Sequence, residues 1–144
     1  MASMERTFAL HVPSSTENLA LIREFVAAVG VQAGFSSKEL GQLELAVDEA
    51  CANVIEHAYG CDGTKEVTVR AMFDDDSLHI EVIDTGKAFD PGMIQQVEVG
   101  TLVSDRKSGG LGMRLMKSFM DEVHYHMVPG EKNELRMVKR LKKG

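Results

Sequence analysis

Alternation of apolar and polar side chains, from Val67 to Phe73 with Met72 the one exception and again from Leu78 to Val82, most narrows what this chain can fold into. Val67, Val69, Ala71 and Phe73 fall on one face, with Thr68, Arg70 and Met72 on the other. Leu78, Ile80 and Val82 alternate with His79 and Glu81 in the same way. A period of two describes a half-buried strand. Asp74-Asp75-Asp76 with Ser77 reads as a tight polar turn rather than a metal loop, so the two strands pair as an antiparallel hairpin. One apolar sheet face then needs a covering layer, and the preceding residues can supply it.

Two helices are expected there. After the strand Thr7 to Val12, Pro13 breaks the extension and Ser14 or Ser15 offers an N-cap. Leu19, Ile22, Phe25, Val26 and Val29 recur at helical spacing, and that helix is expected to stop around Gly30 to Gly34. Ser36 and Glu39 have the spacing of a capping box. The second helix carries Leu40, Leu43, Val47, Ala50, Val54 and Ala58 as its apolar stripe and ends at Gly60.

Beyond the hairpin, residues 86–108 are rich in Gly, Asp, Ser and Lys without a sustained period. They read as a loop with one short helical turn at Met93 to Val97, a length that fits a lid over a ligand. Leu111, Leu115, Met116 and Phe119 mark a third helix. Val123 to Val128 and Glu134 to Leu141 form a closing hairpin that turns at Pro129-Gly130. The expected fold is α+β: a single domain over residues 1–144, with helices on one face of a mixed, mostly antiparallel sheet. The opposite face, with Thr68, Arg70, His79, Glu81, His124 and His126, is polar enough to meet water or a partner.

Composition narrows the function. A formal charge of −6 over 144 residues argues against direct nucleic-acid binding. The basic end Lys139-Arg140-Leu141-Lys142-Lys143 reads as a solvated strand end. No apolar stretch approaches the roughly 20 residues that span a bilayer, and Glu5, Arg6 and His11 interrupt any signal-peptide core. Cys51 and Cys61 lack metal-ligand spacing, so free thiols in a reducing cytoplasm are expected.

Three short segments carry chemistry. On the second helix, Glu49, Asn53 and His57 fall on one stripe at about 100° per residue, beside the apolar face. Asn53 offers a carbonyl oxygen to Mg²⁺, and Glu49 can accept a proton. Taken alone, the same pattern describes a capped, solvated acidic helix face. Asp84 ends an alternating strand before Thr85-Gly86. A carboxylate there accepts from the exocyclic amine of adenine, whereas guanine presents a carbonyl. Gly86 permits close backbone approach. By itself this tripeptide describes a turn equally well. Ser108-Gly109-Gly110-Leu111-Gly112 opens the third helix, where unpaired N–H groups and the helix dipole attract phosphate. Arg106 and Lys107 add positive charge. The segment is neither a Walker loop nor a dinucleotide fingerprint. Together these pieces describe an ATP site.

The segments Glu49-Ala-Cys-Ala-Asn53 with His57-Ala-Tyr59, Asp84-Thr-Gly86 with Phe89-Asp-Pro91, and Gly110-Leu-Gly112 with Phe119-Met-Asp-Glu-Val123 resemble the N, G1 and G2 boxes of the GHKL ATPase superfamily. Within it the chain is similar to the small anti-sigma factor serine kinases, over nearly its whole length. The resemblance implies a two-layer α/β sandwich that binds ATP and Mg²⁺ under a short lid. It assigns Glu49 as catalytic base, Asn53 to Mg²⁺, Asp84 to adenine, and Gly110 and Gly112 to phosphate; Gly86 beside Asp84, with Lys107, Gly109 and Leu111 around the glycine turn, completes the expected nucleotide-binding set. It also implies a serine on an anti-sigma factor antagonist as substrate, a sigma factor as partner, and a homodimer. Two positions depart from the pattern. Ala88 replaces a second glycine, and Lys132-Asn133-Glu134 stands where many relatives carry Gly-Thr.

Two other functions remain open on these residues. One is a non-catalytic, ATP-gated protein-binding switch, suggested by Ala88 and by Met113, Met116 and Met120 on the third helix, which are also natural core fillers. The other is the catalytic half of a histidine kinase, disfavoured because no upstream helix carries a phosphoacceptor histidine.

Overall fold

A computed structural model describes residues 5–86, 116–128 and 131–141. Strand β1 (Arg6–Pro13) leads through a short 3₁₀ turn into α1 (Leu19–Ala33) and α2 (Ser37–Asn53), which continues as a π-helical turn over Val54–Ala58. The hairpin β2 (Glu66–Phe73) and β3 (Ser77–Asp84) follows, and β4 (Glu122–Val128) and β5 (Lys132–Arg140) complete a sheet of order β1-β2-β3-β5-β4. Every described pairing is antiparallel, so the parallel component of the expected mixed sheet is not found among the described residues.

Side-chain alternation decides which face is covered. Val67, Val69, Ala71, Leu78, Ile80 and Val82 are almost fully buried and lie under α1 and α2. Ile22, Val26, Leu43, Ala46 and Val47 complete the core from the helix side. The capping box forms as expected: the Ser36 hydroxyl accepts the Glu39 N–H at 3.3 Å, and the Glu39 carboxylate accepts the Ser36 N–H at 3.0 Å. It satisfies two N–H groups that the first helical turn cannot, an effect of about 1 kcal/mol.

The first helix ends within the expected Gly30 to Gly34 window, at Gly34, and Gly30 lies inside it where α2 packs close. A Cβ at Gly30 would sit 2.5 Å from the Leu40 side chain. Gly34 stands at φ 103°. Other local details differ from expectation. Neither serine caps α1 through its side chain; the Ser14 hydroxyl instead donates to the Asp62 carbonyl at 2.5 Å. Lys139, expected in solvent, is buried. Its ammonium donates to the Phe119 carbonyl at 2.7 Å and to Gln42 at 3.1 Å, joining β5 to the helical residues 116–119 and to α2. Met116 and Met120 are core residues, which removes them from any adaptable surface, and Met113 lies outside the described residues.

The outer sheet face carries the expected polar row, with one surprise. Glu81 is only 4% exposed, because Arg70 and Arg136 close over it at 3.3 and 3.1 Å. No helix among the described residues is long and apolar enough to cross a membrane.

Candidate functional site

The C-terminal end of α2 positions the first polar group. Ala50 and Val54 turn into the core, and Asn53 between them is buried at the last α-helical position. Glu49, one turn earlier, is half-buried. Burial raises its carboxyl above the ordinary range, and the nearby charges of Asp48 and Glu56 add to the effect. Beyond Asn53 the helix widens, with the Tyr59 N–H donating to the Val54 carbonyl at 2.9 Å in an i to i+5 bond. Such turns occur often at functional sites. The wider turn also breaks the 100° geometry that placed His57 on a stripe with Glu49 and Asn53, and His57 is exposed.

The second group stands at the end of β3. Asp84 pairs with Asn133 of β5, and both side chains are buried on the helix-facing side of the sheet. The Asp84 Oδ1 accepts from the Asn133 amide at 2.9 Å and from the Gly86 N–H at 2.8 Å. The same Asn133 nitrogen donates to the Gly86 carbonyl at 3.1 Å. Burial pushes the Asp84 carboxyl up, and the two hydrogen bonds act in the opposite direction. Gly86 is pressed against the helix end: a Cβ there would lie 2.7 Å from the Ala58 carbonyl carbon and closer still to its oxygen. The close approach at Gly86 is therefore to the protein's own backbone.

These elements enclose one cavity. Ala50, Asn53 and Val54 line it from the helix, Val82 and Asp84 from β3, Tyr125 and Met127 from β4, and Asn133 to Leu135 from β5. The cavity is small, about 10 Å³, and its mainly apolar lining with the Asp84 carboxylate matches the chemistry of a heteroaromatic ring that donates an amine hydrogen, which would enter as the walls part. The structure thus brings Asn53 and Asp84 together and sets Gly86 beside Asp84, while Glu49 lies one helical turn from the cavity. Lys107, Gly109, Gly110, Leu111 and Gly112 lie outside the described residues, as do Ala88, the expected lid and the Pro129-Gly130 turn. No cluster of three His, Cys, Asp or Glu side chains fit to hold a metal occurs among the described residues. A buried carboxamide such as Asn53 nonetheless fits Mg²⁺, which takes few protein ligands when phosphates supply the rest.

Two residues of the site were not singled out as such from sequence. Asn133 was visible only as a departure from a Gly-Thr pattern, and its pairing with Asp84 depends on β5 lying next to β3. Tyr59 joins the corner: its hydroxyl donates to the Glu66 carbonyl at 2.6 Å and accepts the Thr85 N–H at 2.9 Å. Its signals in the sequence were its place at the end of the helical run and within the His57-Ala-Tyr59 part of the N-box resemblance.

Comparison with known proteins agrees with this geometry. The family of histidine kinase-like ATPase domains matches residues 12–139. The serine-protein kinase RsbW of Bacillus licheniformis is 37% identical over 124 residues, covering 82% of this chain and 76% of that protein. RsbW of Bacillus subtilis is 36% identical, covering 79% of this chain and 74% of that protein. RsbW of Listeria monocytogenes serotype 4a is 32% identical, covering 90% of this chain and 85% of that protein. In fold, the chain resembles the crystal structure of the RsbU and RsbW domains of Rv1364c from Mycobacterium tuberculosis, with a TM-score of 0.69 and 15% identity. That match covers 96% of this chain and 33% of the other, longer one. The chain belongs to the histidine kinase-like ATPase family and, within it, groups with the RsbW serine-protein kinases.

Proposed function

We propose that this chain, as a single domain over residues 1–144, is an ATP-dependent serine protein kinase that phosphorylates an anti-sigma factor antagonist and binds a sigma factor. The observation that carries the reading is the approach of Asn53 and Asp84 to one apolar cavity in a chain of the RsbW group. Asp84 accepts the adenine amine, with Gly86 beside it. Asn53 holds Mg²⁺ together with the phosphates, and the ion supplies charge neutralisation during transfer. Lys107, Gly109, Gly110, Leu111 and Gly112 meet the phosphates.

Phosphoryl transfer asks the protein for positioning and electrostatics rather than covalent chemistry. The substrate serine oxygen forms a bond to the γ-phosphorus as the bond from that phosphorus to the β–γ bridging oxygen breaks. ADP leaves, and the serine proton passes to Glu49. Half-burial suits Glu49 to that role, since its raised proton affinity makes it a better acceptor. Free Cys51 and Cys61 accord with a reducing, cytoplasmic setting, and the homodimer expected from resemblance belongs to the same reading.

Incubation with γ-labelled ATP and candidate antagonists tests the proposal. Label on an antagonist serine, lost in Glu49→Ala while nucleotide binding persists, is the expected result. Nucleotide binding with no transfer to any antagonist would overturn the kinase reading in favour of a gated switch.

A further inference from the structure

Asp84 can select a purine only if its carboxylate is ionised and aimed, and one side chain is placed to secure both. The Asn133 amide nitrogen donates to Asp84 Oδ1 at 2.9 Å and to the Gly86 carbonyl at 3.1 Å, so both of its N–H groups are used in holding this corner. With the Gly86 N–H also on Oδ1, the hydrogen bonds from described residues all fall on one carboxylate oxygen. Oδ2 takes none among the described residues, and the carboxylate borders the cavity. Asn133 is itself 5% exposed and fixed opposite Asp84 by the β3–β5 register, so neither side chain can turn away without leaving a buried polar group unpaired.

We propose that Asn133 is the positioning residue for base selection in this pocket: by holding Oδ1 of Asp84 it presents Oδ2 as an acceptor for an exocyclic amine. The proposal deepens the nucleotide-site reading and rests on it. Its chemical logic concerns the alternative protonation state. A neutral Asp84 carries an O–H donor, which would suit the guanine carbonyl as well as an ionised carboxylate suits the adenine amine. Burial drives Asp84 toward that neutral form and the Asn133 bond opposes it. Losing the bond therefore weakens adenine binding and also narrows the preference for adenine over guanine, most of all at acid pH. A residue that merely filled space at position 133 would change affinity without changing which base is preferred or at which pH.

Valine and threonine have the same shape and differ by one hydroxyl donor, so the decisive pair is Asn133→Val and Asn133→Thr. Binding of Mg-ATP and Mg-GTP is measured by calorimetry from about pH 5 to about pH 8, with Asp84→Asn in parallel. The expected result is a loss of about tenfold in ATP affinity for Asn133→Val, with the acid fall-off moved to higher pH and the ATP-over-GTP ratio reduced. Asn133→Thr should recover most of the affinity, the ratio and the pH profile. Equal behaviour of the two variants, or a wild-type ratio and pH profile in Asn133→Val, overturns the proposal while leaving the site reading intact. Full ATP affinity in Asp84→Asn overturns both. Should Asn133→Val not fold, Asn133→Ala against Asn133→Ser makes the same comparison of a donor with none.

Discussion

The Tyr59 hydroxyl accepts the Thr85 backbone N–H at 2.9 Å while donating to the Glu66 carbonyl at 2.6 Å, so one phenol joins the end of the second helix to β2 and to the corner after β3. That corner carries Asp84 and Gly86, and its rigidity depends on a side chain that hydrogen-bonds to neither, although its ring packs beside Gly86. Tyr59→Phe keeps the ring and orphans two backbone groups. It is expected to cost about 1–2 kcal/mol in urea denaturation, with weaker ATP binding as the corner loosens. Unchanged stability would show that water replaces the hydroxyl.

Gly86→Ala should be more damaging than its size suggests. The added methyl meets the Ala58 carbonyl group and the Tyr59 ring, and backbone on one side cannot yield as a flexible side chain would. A loss of about 1–3 kcal/mol is expected. Gly41→Ala is the matched control. Nothing lies within 4 Å of its added methyl in α2, so helix propensity should raise stability by about 0.5–1 kcal/mol. Thermal melts of the two variants shifting in the same direction would contradict this contrast.

The pH dependence of transfer follows from Glu49. As a base it must be ionised, and burial first, then Asp48 and Glu56, raise its carboxyl above the ordinary range. Activity should therefore fall on acidification at a higher pH than an unperturbed glutamate would give. Glu56→Gln removes one of the raising charges from an exposed position and should move the acid limb to lower pH. A limb that moves upward, or not at all, in kcat against pH would contradict the assignment of Glu49 as the titrating group.

On the far side of the sheet, Glu81 is covered by two guanidinium groups that are themselves half in water, with side-chain exposures of 42% for Arg70 and 51% for Arg136. Arg136→Ala leaves the buried carboxylate with Arg70 alone. The expected loss is roughly 1–2 kcal/mol, below the full value for a sealed pair because solvent screens both arginines. A loss indistinguishable from zero in urea denaturation would mean that water reaches Glu81 as readily as Arg136 does.

Local order was legible in the residues wherever the physics is local. The β2–β3 hairpin follows from a period of two and a polar turn, and the α2 start from a serine and a glutamate three apart. Residue type and spacing singled out Asn53 and Asp84, and both border the same cavity. What was missed depends on contacts between distant segments. Asp84 and Asn133 are 49 positions apart and meet only because β5 inserts between β3 and β4. Lys139 lies within a basic run, and its burial is set by the Phe119 carbonyl and Gln42, which no pattern along β5 announces. Which glycine of the Gly30 to Gly34 window stops the first helix was not legible: Gly34 does so, while Gly30 makes room for the Leu40 side chain of the second helix. His57 left its expected stripe because the π-helical turn over Val54–Ala58 changed the pitch.

The central claim is that the cavity between α2 and the β3–β5 end of the sheet grips the adenine of a magnesium-bound ATP through Asp84. Calorimetric titration of the purified protein with Mg-ATP, alongside Asp84→Asn and Asn53→Ala, measures this most directly. The account predicts saturable uptake by the wild type, a loss of about tenfold or more in Asp84→Asn, and loss of the magnesium dependence in Asn53→Ala. Equal uptake by all three proteins, or none by the wild type, would contradict it.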